Sequence, residues 1–423
     1  MLERTARWEA ELSALGVAPG SVVLLEGELG ADTVALLLAL LRRGDVAVPL
    51  TPAAAVQRDA FAAIAEVGHL LRIDASGRWQ HEAIARAPAN PLMRKLLAAG
   101  RPGLVLFSSG STGTPKAVLH DFAALLHKLQ RPGQRKSTLT LLLFDHIGGV
   151  DVLLRTLANG GTLVTPERRE PDAVCAALAA HRVHTLPASP TFLNLLLLSG
   201  AVDRHDLSSL AVIAYGTEPM PAALLERLRA ALPAVKLVQT YGTSELGVLR
   251  TKGRDGAPQW VRLQGDGFET RVVDGVLWVR SPAAMLGYLN APDLFDADGW
   301  LNTEDAVEVD GEWLRVLGRV TDLINVGGQK VYPAEVENVV LQLDNVRDVS
   351  VRGEPNALLG HIVTALVSLR APEPLDAFKQ RLRAFCKGRL PAYKIPARVE
   401  LSDAEHFGAR MKKLRRPLPD GAR

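Results

Sequence analysis

The sequence predicts an α/β protein: a large amino-terminal region of parallel, helix-covered sheets with a small β-rich subdomain, followed by a small α+β carboxy-terminal domain. Three observations predict it. Short apolar runs (SVVLLEG, DVAVPL, GLVLFSS, GTLVTP, AVIAYG, KLVQTYG) recur between helical stretches and close on Gly, Pro or Ser, as expected of strands covered on both faces. After about residue 266, FETRVVDGVLWVRS and WLNTEDAVEVDGEWLRVLG set Asp-Gly pairs between alternating apolar residues, the pattern of β-hairpins. From Glu335, EVENVVLQL, DVSVRG, HIVTALVSLR and PLDAFKQRLRAFCKGRL read as helix, strands and helix, a module of roughly 100 residues. The boundary falls where a strand ends near Gly318 to Thr321, giving domains 1–319 and 320–423, with the β-rich subdomain at about 266–318.

At 423 residues the chain can form two or three domains with large cores. Its 48% hydrophobic and 22% charged residues are those of a soluble globular protein rather than a disordered one. Lys and Arg total 49 against 46 acids, a formal charge of +3. That is too near neutral to argue for a nucleic-acid partner, while an anionic substrate stays open. Neither Cys175 nor Cys386 has another Cys or clustered His at metal-ligand spacing, so a disulfide framework and a zinc site are not expected and a reducing cytoplasm is the simplest setting.

The opening MLERTARWEAELSALG intersperses charges through an amphipathic helix and lacks the apolar core of a signal peptide. The most apolar stretch, Val34 to Gly44, meets Arg42 and Arg43 well before the ~20 residues of a membrane span, so it reads as a buried helix and no integral membrane segment is expected. Next, LVLFSSGSTGTPKAV, Leu104 to Val118, runs an apolar strand into a loop with two glycines, five hydroxyl side chains and Lys116. Glycines let successive N–H groups turn inward as an anion nest, hydroxyls donate to phosphate oxygens, and the lysine adds charge. The spacing is not that of G-x-x-x-x-G-K-S/T, which disfavours a mononucleotide kinase or GTPase. Composition alone also suits a flexible turn.

Downstream, QTYGTSE, Gln239 to Glu245, follows an apolar strand. A carboxylate beside a phosphate loop needs a metal between the two negative groups, although Ser and Glu here equally suit a capped turn. GWLNTED, Gly299 to Asp305, supplies a two-oxygen acceptor in Asp305, and LGRVTDLINVGGQKVYPAEVE supplies a cation in Arg319. Singly, these also fit a hairpin cap and a surface ion pair. GARMKKLRRPL alone reads as a solvated charge run.

SSGSTGTPK resembles the signature loop of the adenylate-forming superfamily, which includes acyl-CoA and aryl-CoA synthetases, peptide-synthetase adenylation domains and luciferases. The likeness runs in order from GVAPGSVV to Arg416, closest in style to the acyl/aryl-CoA ligases, with a start that is shortened by comparison. It implies that Ser108, Ser109, Gly110, Ser111, Thr112, Gly113 and Lys116 cradle the phosphates of ATP. Gly216, Thr217 and Glu218 of AYGTEP would wall the adenine site, where Tyr241 stacks beside Gly242. Ser244 would contact the α-phosphate, Glu245 bind Mg²⁺, Asp305 accept both ribose hydroxyls and Arg319 reach the same ribose. Lys412 takes the catalytic-lysine position, with Lys413 the alternative because Met411 replaces a glycine; Glu304 likewise replaces the glycine of a T-G-D motif. Thr321 occupies the hinge position, and Gly327 and Gly328 stand where a thiol arm passes, small residues permitting close approach.

FDHIGGVDVLL admits two registers. His146 with Gly149 resembles the FHIxG segment of acyl- and aryl-CoA synthetases, placing His146 near the carboxylate pocket. Phe144-Asp145 resembles the FD of amino-acid adenylation domains, whose Asp holds the substrate ammonium. The spacing to Gly160 favours the first, and Asp145 as a simple helix cap is compatible with both. Ser189 of PASPTF is a further pocket candidate. The implied chemistry is attack of a small-molecule carboxylic acid on the α-phosphorus of ATP, then transfer of the acyl group to a thiol. That thiol would belong to coenzyme A or to the phosphopantetheine of an acyl carrier protein. Mg²⁺ on Glu245, the loop amides and Lys412 would offset charge repulsion in the first step, and the carboxy-terminal domain would rotate before the second. Glu304 and Met411 also motivate a non-catalytic acyl-adenylate-binding protein.

Overall fold

The computed structural model describes residues 1–108, 115–130, 133–255, 257–265 and 267–402. The helix Leu2–Ala14 buries Thr5, Trp8 and Leu12, spaced to share one face. They pack on Ala31–Arg42, a helix buried on most sides that holds the apolar stretch read from the sequence.

The first sheet orders its strands as Gly287–Tyr288, Lys116–Asp121, Gly103–Ser108, Val46–Leu50, Val22–Gly27, His69–Ile73 and Trp79–Ala83. Its centre is parallel and its outer pairs antiparallel. Val22–Gly27 and Val46–Leu50 are buried at every residue, which is why their apolar runs do not alternate. Gly103–Ser108 and Lys116–Asp121 are antiparallel partners that end on Ser108 opposite Lys116, so the Ser/Gly loop joins the arms of a hairpin.

The second sheet, Lys236–Gln239, Val212–Tyr215, Thr185–Ala188, Ser137–Leu139 and Thr162–Val164, is wholly parallel. The third is wholly antiparallel: Tyr241–Thr243, Gly247–Arg254, Ala257–Gln264, Trp313–Arg319, Leu301–Asp310, Val276–Arg280 and Glu269–Val273. Both expected hairpins are present, and Asp274-Gly275 turns the first with φ of 52° and 77°. The sheet reaches back to Tyr241, ahead of the change of texture near residue 266, because Gly247–Arg254 is strongly polar.

The fourth sheet orders Gln329–Val331, Ile324–Val326, Gly360–Leu369 and Val346–Asn356, with Arg398–Leu401 also against Gly360–Leu369. With helices Pro333–Val340 and Leu375–Cys386 it closes a core around Val349, Val351, Phe378 and Leu382, the expected α+β module. Among the described residues no helix is long and apolar enough to cross a membrane.

Candidate active site

A cavity of about 1140 Å³ opens where the first three sheets meet one wall of the α+β module. Antiparallel pairing builds one corner: Asp305 lies opposite Arg319 across the hairpin, with Arg319 Nε 3.2 Å from Asp305 Oδ1. The Tyr241 hydroxyl donates to Asp305 Oδ2 at 2.7 Å, and Asp305 N donates to Thr303 Oγ1 at 3.1 Å. Burial raises the Asp305 pKa, while Arg319 and the Tyr241 hydrogen bond pull it down. Oδ2 accepts one hydrogen bond and Oδ1 faces the Arg319 guanidinium in an ion pair, and a carboxylate offers about four acceptor sites, so two hydroxyls can still be received.

Glu304, next in the chain, lines the cavity with φ of 59° and stands 3.7 Å from Arg319. A left-handed backbone here explains why glycine suits the position.

A second corner combines three segments. Gly287–Tyr288 pairs with Lys116–Asp121, and the Tyr288 hydroxyl donates to Glu245 Oε1 at 2.7 Å. Lys116 Nζ lies 5.1 Å from the Tyr288 ring centroid. His120 Nε2 donates to the Ser244 carbonyl at 2.7 Å, tying the Tyr241–Glu245 segment to the strand after the Ser/Gly loop. Burial pushes His120 down to about 4, and its Nδ1 has no hydrogen-bond partner among the described residues. Burial, then the Glu245 charge, raises the Tyr288 phenol, so it remains a donor. Ser108, Lys116, Ser244 and Glu245 all line the cavity. Ser109, Gly110, Ser111, Thr112 and Gly113, like Lys412 and Lys413, lie outside the described residues.

The opposite wall carries Gly216, Thr217 and Glu218. A Cβ on Gly216 would stand 2.4 Å from Thr240 Oγ1, so only glycine lets the two strand ends approach. Glu218 accepts from the Thr191 hydroxyl at 2.7 Å and the Thr191 amide at 3.3 Å. Ser189 is a buried helix cap that accepts from Phe192 N, and it does not line the cavity.

His146 and Gly149 do line it. A Cβ on Gly149 would fall 2.0 Å from the Leu143 carbonyl oxygen, so packing of the helix Ile147–Ala158 requires this glycine. Asp145 lies off the cavity: its Oδ2 accepts from the Thr51 hydroxyl at 2.7 Å and the Thr51 amide at 3.2 Å, and its Oδ1 is 3.5 Å from His146 Nε2. Thr321 is in the short turn Val320–Asp322 and lines the cavity. Gly327 and Gly328, with φ of 57° and 85°, turn the hairpin between Ile324–Val326 and Gln329–Val331, away from it. The module instead presents the ion-paired Glu335 and Lys394 to the cavity.

Sequence reasoning missed Tyr288, His120, Thr51 and Thr191, which carry no local signature and matter only through pairing across the fold.

Among the described residues no group of three or more His, Cys, Asp or Glu side chains converges to hold a metal ion. One carboxylate, Glu245, faces the Lys116 corner with one oxygen held by Tyr288. That donor set fits Mg²⁺ completed by phosphate oxygens and water, the usual manner for this ion.

A family model described as AMP-binding enzyme matches residues 55–289, and one described as AMP-binding enzyme C-terminal domain matches residues 335–405. The chain is 32% identical over 317 residues to a (methyl-dioxo-octahydroindenyl)propanoyl:CoA ligase of Rhodococcus jostii, covering 71% of this chain but only 61% of that protein. It is 32% identical over 340 residues to a 2-succinylbenzoate–CoA ligase of Bacillus licheniformis, covering 74% and 69%. A solved o-succinylbenzoate CoA synthetase of Bacillus subtilis, in complex with its acyl-adenylate intermediate, matches with a TM-score of 0.76 at 26% identity, covering 98% of this chain and 91% of that one. The resemblance read from the ordered motifs is borne out.

Proposed function

We propose that this chain, which belongs to the AMP-binding enzyme family and so to the adenylate-forming superfamily, is an ATP-dependent acid–thiol ligase that forms an acyl-adenylate and passes the acyl group to coenzyme A. The observation that carries this reading is the convergence of Lys116, Glu218, Glu245, Asp305 and Arg319, from separate segments, on one cavity. Relatives that are themselves CoA ligases support coenzyme A as the acceptor.

In this reading Tyr241, Asp305 and Arg319 hold the nucleoside, and Lys116 with the adjoining loop holds the phosphates. Glu245, fixed by Tyr288, would hold Mg²⁺, whose charge lets a carboxylate approach the triphosphate. The acid carboxylate, received beside His146, attacks the α-phosphorus and pyrophosphate leaves. Lys412 stabilises the charge that develops between them. The thiol sulfur then attacks the acyl carbonyl, and AMP leaves with the bonding electron pair.

Residues 320–423 turn about Thr321 between the steps, carrying Lys412 away and bringing Gly327 and Gly328 in. The arrangement described, with those glycines off the cavity, fits the first step. Because Asp145 lies off the cavity with its Oδ2 held by Thr51, the substrate is an organic acid without an α-amino group. Buried free cysteines, with burial pushing the Cys175 thiol up to about 11, suit a reducing cytoplasm.

The test is product analysis with ATP, Mg²⁺, coenzyme A and a panel of aliphatic, aryl and amino acids. One AMP and one pyrophosphate per thioester are expected with a non-amino acid. ADP formation, or activation of amino acids alone, would contradict the reading.

A further inference from the structure

The cavity continues beyond the corners that would hold a nucleotide. From His146 its wall follows the helix Ile147–Ala158 as far as Asn159, and twelve residues at 1.5 Å each span about 18 Å. Its middle is apolar, with Leu142, Ile147, Val152 and Leu249 facing the space, and Gly148 adds no side chain to narrow it. The far end is different: Lys136 and Arg155 stand in the wall beside Thr156 and Asn159.

Charge is unevenly distributed along this trough. At the nucleotide end the carboxylates of Glu245, Glu304 and Asp305 outnumber Lys116 and Arg319. At the far end the only carboxylate in the wall among the described residues, Asp151, is buried and already engaged twice, by Lys128 at 2.5 Å and Arg155 at 3.2 Å. Lys136 has no ion-pair partner among the described residues. Lys128, which does not line the cavity, and Arg155 both pair with Asp151, so with Lys136 this end holds three cations against one carboxylate, and no other acidic group among the described residues lines it. An apolar channel ending in unmatched cations is complementary to an amphiphile with an anion at its tip.

We infer that the acid activated by this enzyme carries a second carboxylate, separated from the first by an extended apolar body and received at the far end of the trough by Lys136, with Arg155 beside it. This inference rests on the ligase reading, since it takes the first carboxylate to lie at His146. Lys136 is a specificity-determining residue: it contacts the substrate remote from the reacting atoms, so its loss should raise KM for diacids and spare kcat. A charge-assisted hydrogen bond of this kind is worth on the order of tenfold in affinity.

The experiment uses the full chain, ATP and Mg²⁺ with α,ω-dicarboxylic acids graded in length, each paired with its mono-methyl ester, which keeps one free carboxylate and neutralises the other. Acid-dependent ATP–pyrophosphate exchange is measured alongside the thermal shift each acid produces. A diacid of suitable length should have a KM at least about tenfold below that of its half-ester. Lys136→Gln should erase the difference by weakening only the diacid, and Lys136→Glu should reverse it. Equal use of diacid and half-ester, or a preference for the half-ester, would overturn the inference and leave the ligase reading standing. A Lys136-dependent thermal shift with the diacid but no exchange would uphold the diacid site while contradicting the ligase reading. Neither shift nor exchange with any diacid would overturn the inference.

Discussion

Acidification should destabilise this fold through His120, and the size of the effect follows from its surroundings. The imidazole is fully buried, donates from Nε2 to Ser244 O, and has no partner for Nδ1 among the described residues. A second proton would sit on that nitrogen, away from water and with no acceptor, which is why burial lowers the pKa from 6.5 to about 4. Above 6.5 neither the folded nor the unfolded chain carries this proton; between 6.5 and about 4 only the unfolded chain does; below about 4 both do. The stability tied to the neutral ring is therefore fully present above 6.5 and is lost as pH falls towards 4. At about 1.4 kcal/mol per unit the gap amounts to ~3 kcal/mol. Urea unfolding of the wild type and of His120→Gln, which keeps a donor for Ser244 O, measures it across this range. The variant should lose stability less steeply on acidification. Identical slopes in the two proteins would refute the assignment.

Glu245→Gln should lower metal-supported turnover by ~10²-fold or more, comparable to losing one transition-state stabiliser, and a Mg²⁺ titration of the exchange rate checks it. Full activity in that variant would contradict the metal assignment. Asp305→Ala should raise KM for ATP, since it removes the carboxylate shared by Tyr241 and Arg319; steady-state kinetics at varied ATP decides. Glu304→Gly should stabilise the fold by up to ~1 kcal/mol by relieving a left-handed backbone, because the partly exposed Glu304–Arg319 contact it removes is worth little; thermal unfolding reads this directly. Lys412→Ala should be nearly inactive from acid and ATP, yet still convert supplied acyl-adenylate and coenzyme A to thioester; equal loss in both half-reactions would contradict domain rotation.

The parts of the site that were legible in the sequence are those whose chemistry is local. Asp305 and Arg319 could be paired because the Asp-Gly turn at Asp310-Gly311 announces the hairpin that joins them. Tyr288 could not be read, because its partner Glu245 is 43 residues away and the two meet only through the pairing of Gly287–Tyr288 with Lys116–Asp121. His120 looks like any residue of an apolar strand until its neighbour Ser244 is known. Sequence inspection left two registers at Asp145 and His146, with the spacing to Gly160 favouring His146. His146 has extended dihedrals, φ −131° and ψ 150°, and adjacent side chains on extended backbone point to opposite sides. His146 therefore faces the cavity while Asp145 turns back to Thr51. The polar strand Gly247–Arg254 hid the true start of the antiparallel sheet, since its pairing is set by neighbours rather than by its own alternation.

The central claim is that the cavity joins a carboxylic acid to AMP before any thiol takes part. Exchange of labelled pyrophosphate into ATP, measured with Mg²⁺ and without coenzyme A, tests it most directly. The account predicts exchange that appears only when a suitable acid is added and that falls by ~10²-fold in Glu245→Gln. Exchange that ignores the acid, or thioester formation from a competent acid with no exchange in the absence of coenzyme A, would contradict it.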